Sequence, residues 1–206
     1  MTTILKINSS LYSDAGQSSQ LASQFIDALR ERDADTRVIE RDVVRDTLPH
    51  LDAARFQAFL TKPEERSAAQ RAVTDASDAL IDELRAADVI VLGLPMYNFG
   101  IPSQLKAWFD HVARAGVTFK YTEKGPVGLL TGKKAYVFAT RGGTHAGTAR
   151  DSETRHVREF LRLLGIDEVD FVYAEGLAMG EPARSAALAQ AQRRLHNLAR
   201  PVPLAA

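Results

Sequence analysis

The sequence predicts a doubly wound α/β fold, with about five parallel strands and helices on both faces, in a single domain spanning residues 1–206. Two observations carry this. Short apolar runs alternate with segments whose apolar residues recur at helical spacing along the whole chain. Val89-Ile90-Val91-Leu92-Gly93-Leu94 is apolar without alternation, the habit of a strand buried on both faces of a parallel sheet. Parallel strands need helical crossovers, which cover both faces.

Thr3 to Asn8 reads as the first strand, followed by the polar turn Ser9 to Gly16. Ser18 or Ser19 can cap a helix bearing Leu21, Phe25, Ile26 and Leu29. Thr36 to Val43 reads as a second strand and Ala53 to Leu60 as a short helix. A longer helix is carried by Val73, Ala76, Leu80, Ile81 and Leu84. After the strand ending at Leu94 and the loop Pro95 to Pro102, Ser103 can cap a helix with Leu105, Trp108, Phe109, Val112 and Ala113. Gly116 is placed to end that helix in the left-handed conformation. Val117 to Val127, broken by Lys124-Gly125-Pro126, reads as an excursion from the core. Ala135 to Ala139 is a fourth strand, Asp151 to Leu164 a helix stopped by Gly165, Val169 to Tyr173 a fifth strand, and Ala183 to Leu198 a closing helix.

Composition narrows the function. The 206 residues are 45% hydrophobic and 25% charged, which argues against wholesale disorder. Lys plus Arg and Asp plus Glu both total 26, so no basic excess supports phosphate-tracking nucleic-acid binding. There is no cysteine, which excludes disulfide scaffolds, iron–sulfur clusters, thiolate zinc sites and cysteine nucleophiles. Neither a signal layout nor an apolar run of about 18 residues is present, so the expectation is a soluble, cytoplasmic protein that meets neither membrane nor nucleic acid.

In doubly wound sheets, ligands bind beyond the carboxyl ends of the strands where strand order reverses. The loops after the first, third and fourth strands are therefore the candidates. The first offers Ser10, Gly16, Gln17 and Ser18 at a helix start, where unpaired N–H groups and hydroxyls suit a phosphate; it contains no Lys or Arg, and serines also cap helices and fill turns. The second, with Met96, Tyr97, Asn98 and Phe99 between prolines, suits the face and edge of a flat amphiphilic ring, although either aromatic could instead pack on the next helix. In the third, Thr140-Arg141-Gly142-Gly143, adjacent glycines allow close backbone approach to a ring edge, or simply a tight turn. His145 can face solvent or the ligand.

Rival motifs fail. No Gly-x-Gly-x-x-Gly follows the first strand, and no Gly-x-Ser-x-Gly elbow exists. Gly128 to Lys134 is one residue short of a P-loop and precedes a strand. The five histidines lack zinc spacing, and Asp110 and His111 read as solvated helix surface.

Taken together, Pro95-Met96-Tyr97-Asn98-Phe99, Gln104-Leu105-Lys106, Phe109-Asp110 and Ala113 to Thr122 closely resemble the FMN-dependent NADH azoreductases of the flavodoxin-like quinone reductase group. Thr131 to Lys134, Arg141-Gly142-Gly143 and Ala174-Glu175-Gly176 extend the resemblance over nearly the whole chain. It implies a flavodoxin-like fold and a homodimer with one non-covalent FMN per subunit and active sites at the interface. It places the FMN phosphate at Ser10 and Gly16-Gln17-Ser18, and the ring against Met96 to Phe99 and Thr140 to Gly143. It implies ping-pong two-electron transfer from NADH or NADPH through FMN to quinones, and cleavage of azo compounds with four electrons per bond. Many members have serine where Gly16 stands, so one hydroxyl donor is missing. Phe119 and Tyr121 are expected on the substrate side, reaching over a neighbouring subunit's flavin, and His145 near the ring as orienter or proton donor. The alternatives are a flavodoxin-type electron carrier, which zero net charge disfavours, and a colourless scaffold with a disabled site.

Overall fold

The structure, a computed structural model, describes residues 2–200. In chain order it contains β1 (Thr3–Asn8), α1 (Gln17–Arg30), β2 (Arg37–Asp42), α2 (Ala53–Leu60), α3 (Ala68–Ala86), β3 (Val89–Pro95) and α4 (Ser103–Val112). There follow β4 (Phe119–Thr122), β5 (Gly125–Gly128), β6 (Lys134–Thr140), α5 (Ser152–Leu164), β7 (Glu168–Ala174) and α6 (Glu181–Ala199). Five strands form one parallel sheet in the order β2-β1-β3-β6-β7. The expected flavodoxin-like, five-stranded doubly wound sheet is therefore observed. The excursion after α4 is the antiparallel hairpin β4–β5.

Two apolar layers sandwich the sheet. Leu21, Ala22, Phe25 and Ile26 of α1 and Ala191 and Leu195 of α6 pack on one face. Leu80, Ile81 and Leu84 of α3, Trp108 and Phe109 of α4, and Val157 and Leu161 of α5 pack on the other. β3 at the centre is buried from Ile90 onward, as its unbroken apolar run requires. Among the described residues no helix is long and apolar enough to cross a membrane.

Helix ends depart from the sequence expectations in ways that matter. α1 starts at Gln17 with Gly16 as its N-cap, and no side chain caps it; Ser18 and Ser19 lie inside the first turn. They are buried against β3, where Gly93 lets the helix backbone approach so closely that a Cβ would lie 3.2 Å from the Ser18 carbonyl carbon. Ser103 is likewise the first residue of α4, not its cap, and its hydroxyl donates to Gln104. Gly116 is left-handed, at φ 79°, but α4 has already ended at Ala113; the Gly116 N–H donates to Phe119 O in the turn that opens the hairpin. Gly165 ends α5 as expected, at φ 95°.

On α3 the inward face is Thr74, Ser77, Leu80, Ile81 and Leu84, whereas Ala76 is exposed and Val73 only half-buried. The reason is polar packing: Ser77 Oγ donates to His111 O (2.6 Å) and accepts from Arg114 Nη1 (3.1 Å). That same contact corrects the reading of His111 as solvated surface. The residue is 2% exposed, and its Nε2–H donates to Pro49 O at 2.9 Å. Asp110 is the partly exposed partner of Lys106.

The rejected P-loop lookalike has a structural role. Lys133 Nζ donates to Ala87 O (2.5 Å) and Arg85 O (3.0 Å), closing the carboxyl end of α3. Gly128 is pressed against the end of α5, where an added Cβ would fall 1.9 Å from Gly165 N and 2.2 Å from Leu164 C. Backbone cannot rotate out of such a clash. Gly128→Ala should therefore lower the melting temperature by roughly 5–10 °C, readable by circular dichroism, without altering the chemistry of the strand-end loops.

Candidate active site

The register of the parallel sheet brings the ends of β3, β6 and β7 level, with the end of β1 two residues behind. Asn8 of β1 stands opposite Gly93 of β3, Pro95 of β3 opposite Thr140 of β6, and Thr140 opposite Ala174 of β7. Strand order reverses between β1 and β3, so a crevice opens there, as in flavodoxin-type sheets generally. Its walls are the segments following β1, β3 and β6. A cavity of about 190 Å³ is lined by Ser10, Gly16, Gln17, Met96, Tyr97 and Gly142 together with Tyr12, Pro95, Thr140, Arg141 and Leu177. A second, of about 260 Å³, continues from the shared Met96 and Gly142 to Asn98, Phe99 and His145. The loops predicted separately from sequence thus meet. A roomier groove of about 880 Å³ between α1 and α6 is walled by charged and amide side chains and touches none of these loops.

Hydrogen bonds tie the walls together. Ser9 Oγ donates to Gly93 O (2.7 Å), and Leu11 N–H donates to Tyr97 Oη (3.2 Å), joining the first loop to the second. Met96 N–H donates to Thr140 O (3.0 Å), and Ser152 Oγ donates to Phe99 O, joining the second to the third. Tyr97 and Gly100 exchange both backbone bonds at 3.0 Å around Asn98 (φ 52°) and Phe99 (φ 62°). This is a two-residue turn with both central residues left-handed, a geometry that favours Asn-Gly. Phe99 occupies the glycine position, 58% exposed, with its ring edge-on to His145 at 5.4 Å. Backbone strain of about 1–2 kcal/mol is held there to present an aromatic ring at the crevice.

The first loop has the features of an anion site built from neutral donors. The first intrahelical bond of α1 runs from Gln20 N–H to Gly16 O, so the N–H groups of Gln17, Ser18 and Ser19 have no helical acceptor and no capping side chain. The Ser18 and Ser19 hydroxyls are buried with no partner among the described residues. Nearby cations are already neutralised: Lys6 Nζ lies 3.7 Å from Asp14 and 3.3 Å from Glu40, and Arg45 Nη2 lies 2.7 Å from Asp14. Burial pushes the Asp14 carboxyl up, but the Arg45 bond and the Lys6 charge outweigh it and hold it below the usual range. Gly16 is extended (φ −69°), so conformation does not demand glycine. Space does: a Cβ there would sit 2.1 Å from Ser10 Oγ and 2.5 Å from Ser10 Cβ. The sequence signal at Gly16, a missing hydroxyl, was legible; the close seat of Ser10 was not.

The third loop leaves two of its amides free. Its carbonyls are all taken from behind: Arg141 O accepts from Leu177 N–H, Gly142 O from Ala178 N–H and Gly143 O from Gly176 N–H, at 3.1, 3.0 and 2.9 Å. The Gly142 and Gly143 N–H groups donate to no acceptor among the described residues. Arg141 differs from its neighbours. Its N–H donates to Ala174 O, and its side chain, 1% exposed, turns away from the crevice toward Asp151 (2.7 Å), Glu175 (3.1 Å) and Glu153 (3.4 Å). Glu153 was not singled out in the sequence; only its place one turn before Val157, on the inward face of α5, hinted at burial. Burial pushes its carboxyl up to about 8, so at neutral pH a carboxylic acid sits beside the guanidinium.

The two residues expected on the substrate side are not brought to this crevice within the chain. Phe119 is 8% exposed and lies edge-on to Tyr121, which is 75% exposed. Their hairpin is anchored at the far end of α5 through Leu130 N–H to Leu164 O.

A family model described as "Flavodoxin-like fold" matches residues 2–199. The chain belongs to this family. An "FMN-dependent NADH:quinone oxidoreductase" of Burkholderia thailandensis is 55% identical over 192 residues, covering 93% of this chain and 97% of that protein. One of the same name from Cellvibrio japonicus is 52% identical over 190 residues, covering 92% and 96%. Among solved structures, an FMN-dependent NADH-azoreductase of Bacillus anthracis in complex with FMN is 25% identical with a TM-score of 0.86, covering 97% of this chain and 98% of that one.

The geometry generates two expectations. Gly16→Ala should displace Ser10 and weaken binding of an anionic ligand at α1 about tenfold, read by titration. For Glu153, the ordinary carboxyl value is 4.5 and the folded value about 8, so between these the native state keeps a proton that the unfolded chain has released. Stability derived from this group therefore falls as pH rises through that window. Glu153→Gln should match wild type near pH 5 and melt several degrees higher by pH 8, each kcal/mol being worth about 2–4 °C in a chain of this size.

Proposed function

We propose that this protein is an FMN-dependent NADH:quinone oxidoreductase that also reduces azo compounds, acting as a homodimer. The observation that carries the reading is the convergence of an uncapped helix start, a rigid aromatic loop and the glycine loop at Gly142 on one crevice. The residues fit FMN. Its phosphate is held by the N–H groups of Gln17 and Ser18 with the Ser10 and Ser18 hydroxyls, and the α1 dipole supplies the positive potential that the neutral loop lacks. Met96, Tyr97, Asn98 and Phe99 hold one side of the ring, and the backbone of Thr140 to Gly143 its edge.

FMN, when bound, supplies the hydride-accepting and hydride-donating ring. The chain's own groups do the rest. Gly142 and Gly143 direct two preorganised N–H donors at the ring edge, where negative charge is stabilised without reorganisation. Phe99 and His145, packed edge-on, shield one end of the crevice from water and leave an aromatic surface on which a nicotinamide, a quinone or an azo dye can lie in turn. Single occupancy of that surface gives ping-pong kinetics. His145 orients the acceptor or donates a proton to it. Tyr121, exposed on the hairpin and backed by Phe119, completes the substrate side of a second subunit's crevice. The absence of a net charge supports direct reduction of small molecules over electron transfer to charged protein partners.

The purified protein should be yellow, bleach on addition of NADH under argon, and consume NADH rapidly with a quinone and no protein partner. Colourless protein that takes up no FMN, or FMN reduced by NADH with no turnover of quinone, would contradict the reading.

A further inference from the structure

Glu175 follows the last residue of β7 and lies behind the third loop, outside the crevice lining. Its Oε1 accepts three hydrogen bonds: from Arg141 Nη1 at 3.1 Å, from His145 N–H at 2.7 Å and from Ala146 N–H at 2.8 Å. Two consecutive backbone amides converging on one carboxylate oxygen fix the path of the chain between them. The same loop is held through its carbonyls at Arg141, Gly142 and Gly143 and through its amides at His145 and Ala146, which leaves the Gly142 and Gly143 N–H groups free among the described residues. Charge-assisted bonds of this kind are about twice as strong as neutral ones.

Arg141 fixes Glu175 in turn. Its guanidinium lies 5.2 Å from the centre of the Tyr173 ring, and its Nη2 donates to Asp151 Oδ1 and Thr154 Oγ1 at the start of α5. Asp151 is the N-cap of α5, accepting from Thr154 N–H at 3.1 Å. The ends of β6 and β7 and the start of α5 therefore share one charge cluster, and the loop that carries Gly142, Gly143 and His145 joins β6 to α5 across it. With two glycines in five residues, that loop has little intrinsic preference for one path. The segment after β7 chooses the path: the Gly176, Leu177 and Ala178 amides hold residues 141–143, and Glu175 holds residues 145 and 146.

We infer that Glu175 is a positioning residue: by holding the His145 and Ala146 amides it aims the Gly142 and Gly143 N–H groups, and the His145 ring, at the cofactor edge. This rests on the FMN reading above, and it adds a residue that touches neither cofactor nor substrate. Arg141 remains compensated without Glu175, since the Asp151 carboxylate still faces it.

The test compares wild type, Glu175→Ala and Glu175→Gln, the last keeping an Oε1 acceptor without the charge. Exchange of the His145 and Ala146 amides in the FMN-free protein should quicken at least tenfold in E175A while the sheet stays protected. The FMN dissociation constant should rise at least tenfold, and the midpoint potential of bound FMN should fall, because fewer amides stabilise charge on the ring. E175Q should return exchange and affinity to within about threefold of wild type. Should E175A not fold, Glu175→Asp, which keeps the charge but withdraws the oxygen, should show the same three changes. Wild-type exchange, affinity and potential in the variant would overturn the assignment, as would faster exchange spread over the whole sheet. Wild-type protein that binds no FMN would overturn the functional reading itself, whatever the variants do.

Discussion

Parallel pairing that sets the carboxyl ends of β3 and β6 level and the end of β1 two residues behind them is the constraint on which the site depends. A shift of one pair by a single residue would turn every side chain of that strand to the opposite layer, and two apolar layers forbid it. With the register fixed, three loops from distant parts of the chain must end within one crevice. The hydrogen bonds Ser9–Gly93, Leu11–Tyr97 and Met96–Thr140 then convert proximity into a rigid frame. Loop identity sets the chemistry, while the sheet sets the place.

Strands and long helices were legible because their apolar residues carry the period of the element. The continuous run of β3 and the stripe Val157, Leu161, Leu164 on α5 need no tertiary information to interpret. Helix ends were less legible, because a cap is a matter of geometry and not of residue type. Ser18 and Ser19 look like caps; in the structure they are buried first-turn residues, and the cap position falls on Gly16. The error is instructive, since a helix left uncapped at a strand end is what an anionic ligand requires. His111 escaped for a related reason: its burial depends on Ser77 and Pro49, 34 and 62 residues away in sequence.

The crevice residues were nameable as types and loops, but not as partners. Asn98 and Phe99 announce a loop in sequence; only the structure makes them a strained two-residue turn held by Tyr97, Gly100 and Ser152. Arg141 reads as a cation beside a ligand loop, yet its charge is spent inside a cluster of three carboxyl groups. The consequence is a site without free positive charge, in which backbone amides and a helix terminus face the ligand. Such groups are already oriented before a ligand arrives, and they hold anionic charge without drawing in water.

The most direct test of this account is a crystal structure of the protein with FMN. The account predicts the phosphate within hydrogen-bond distance of the Gln17 and Ser18 amides, and the ring edge against the amides of Gly142 and Gly143. Density for FMN elsewhere, in the groove between α1 and α6 for instance, with the strand-end crevice filled by solvent, would contradict it.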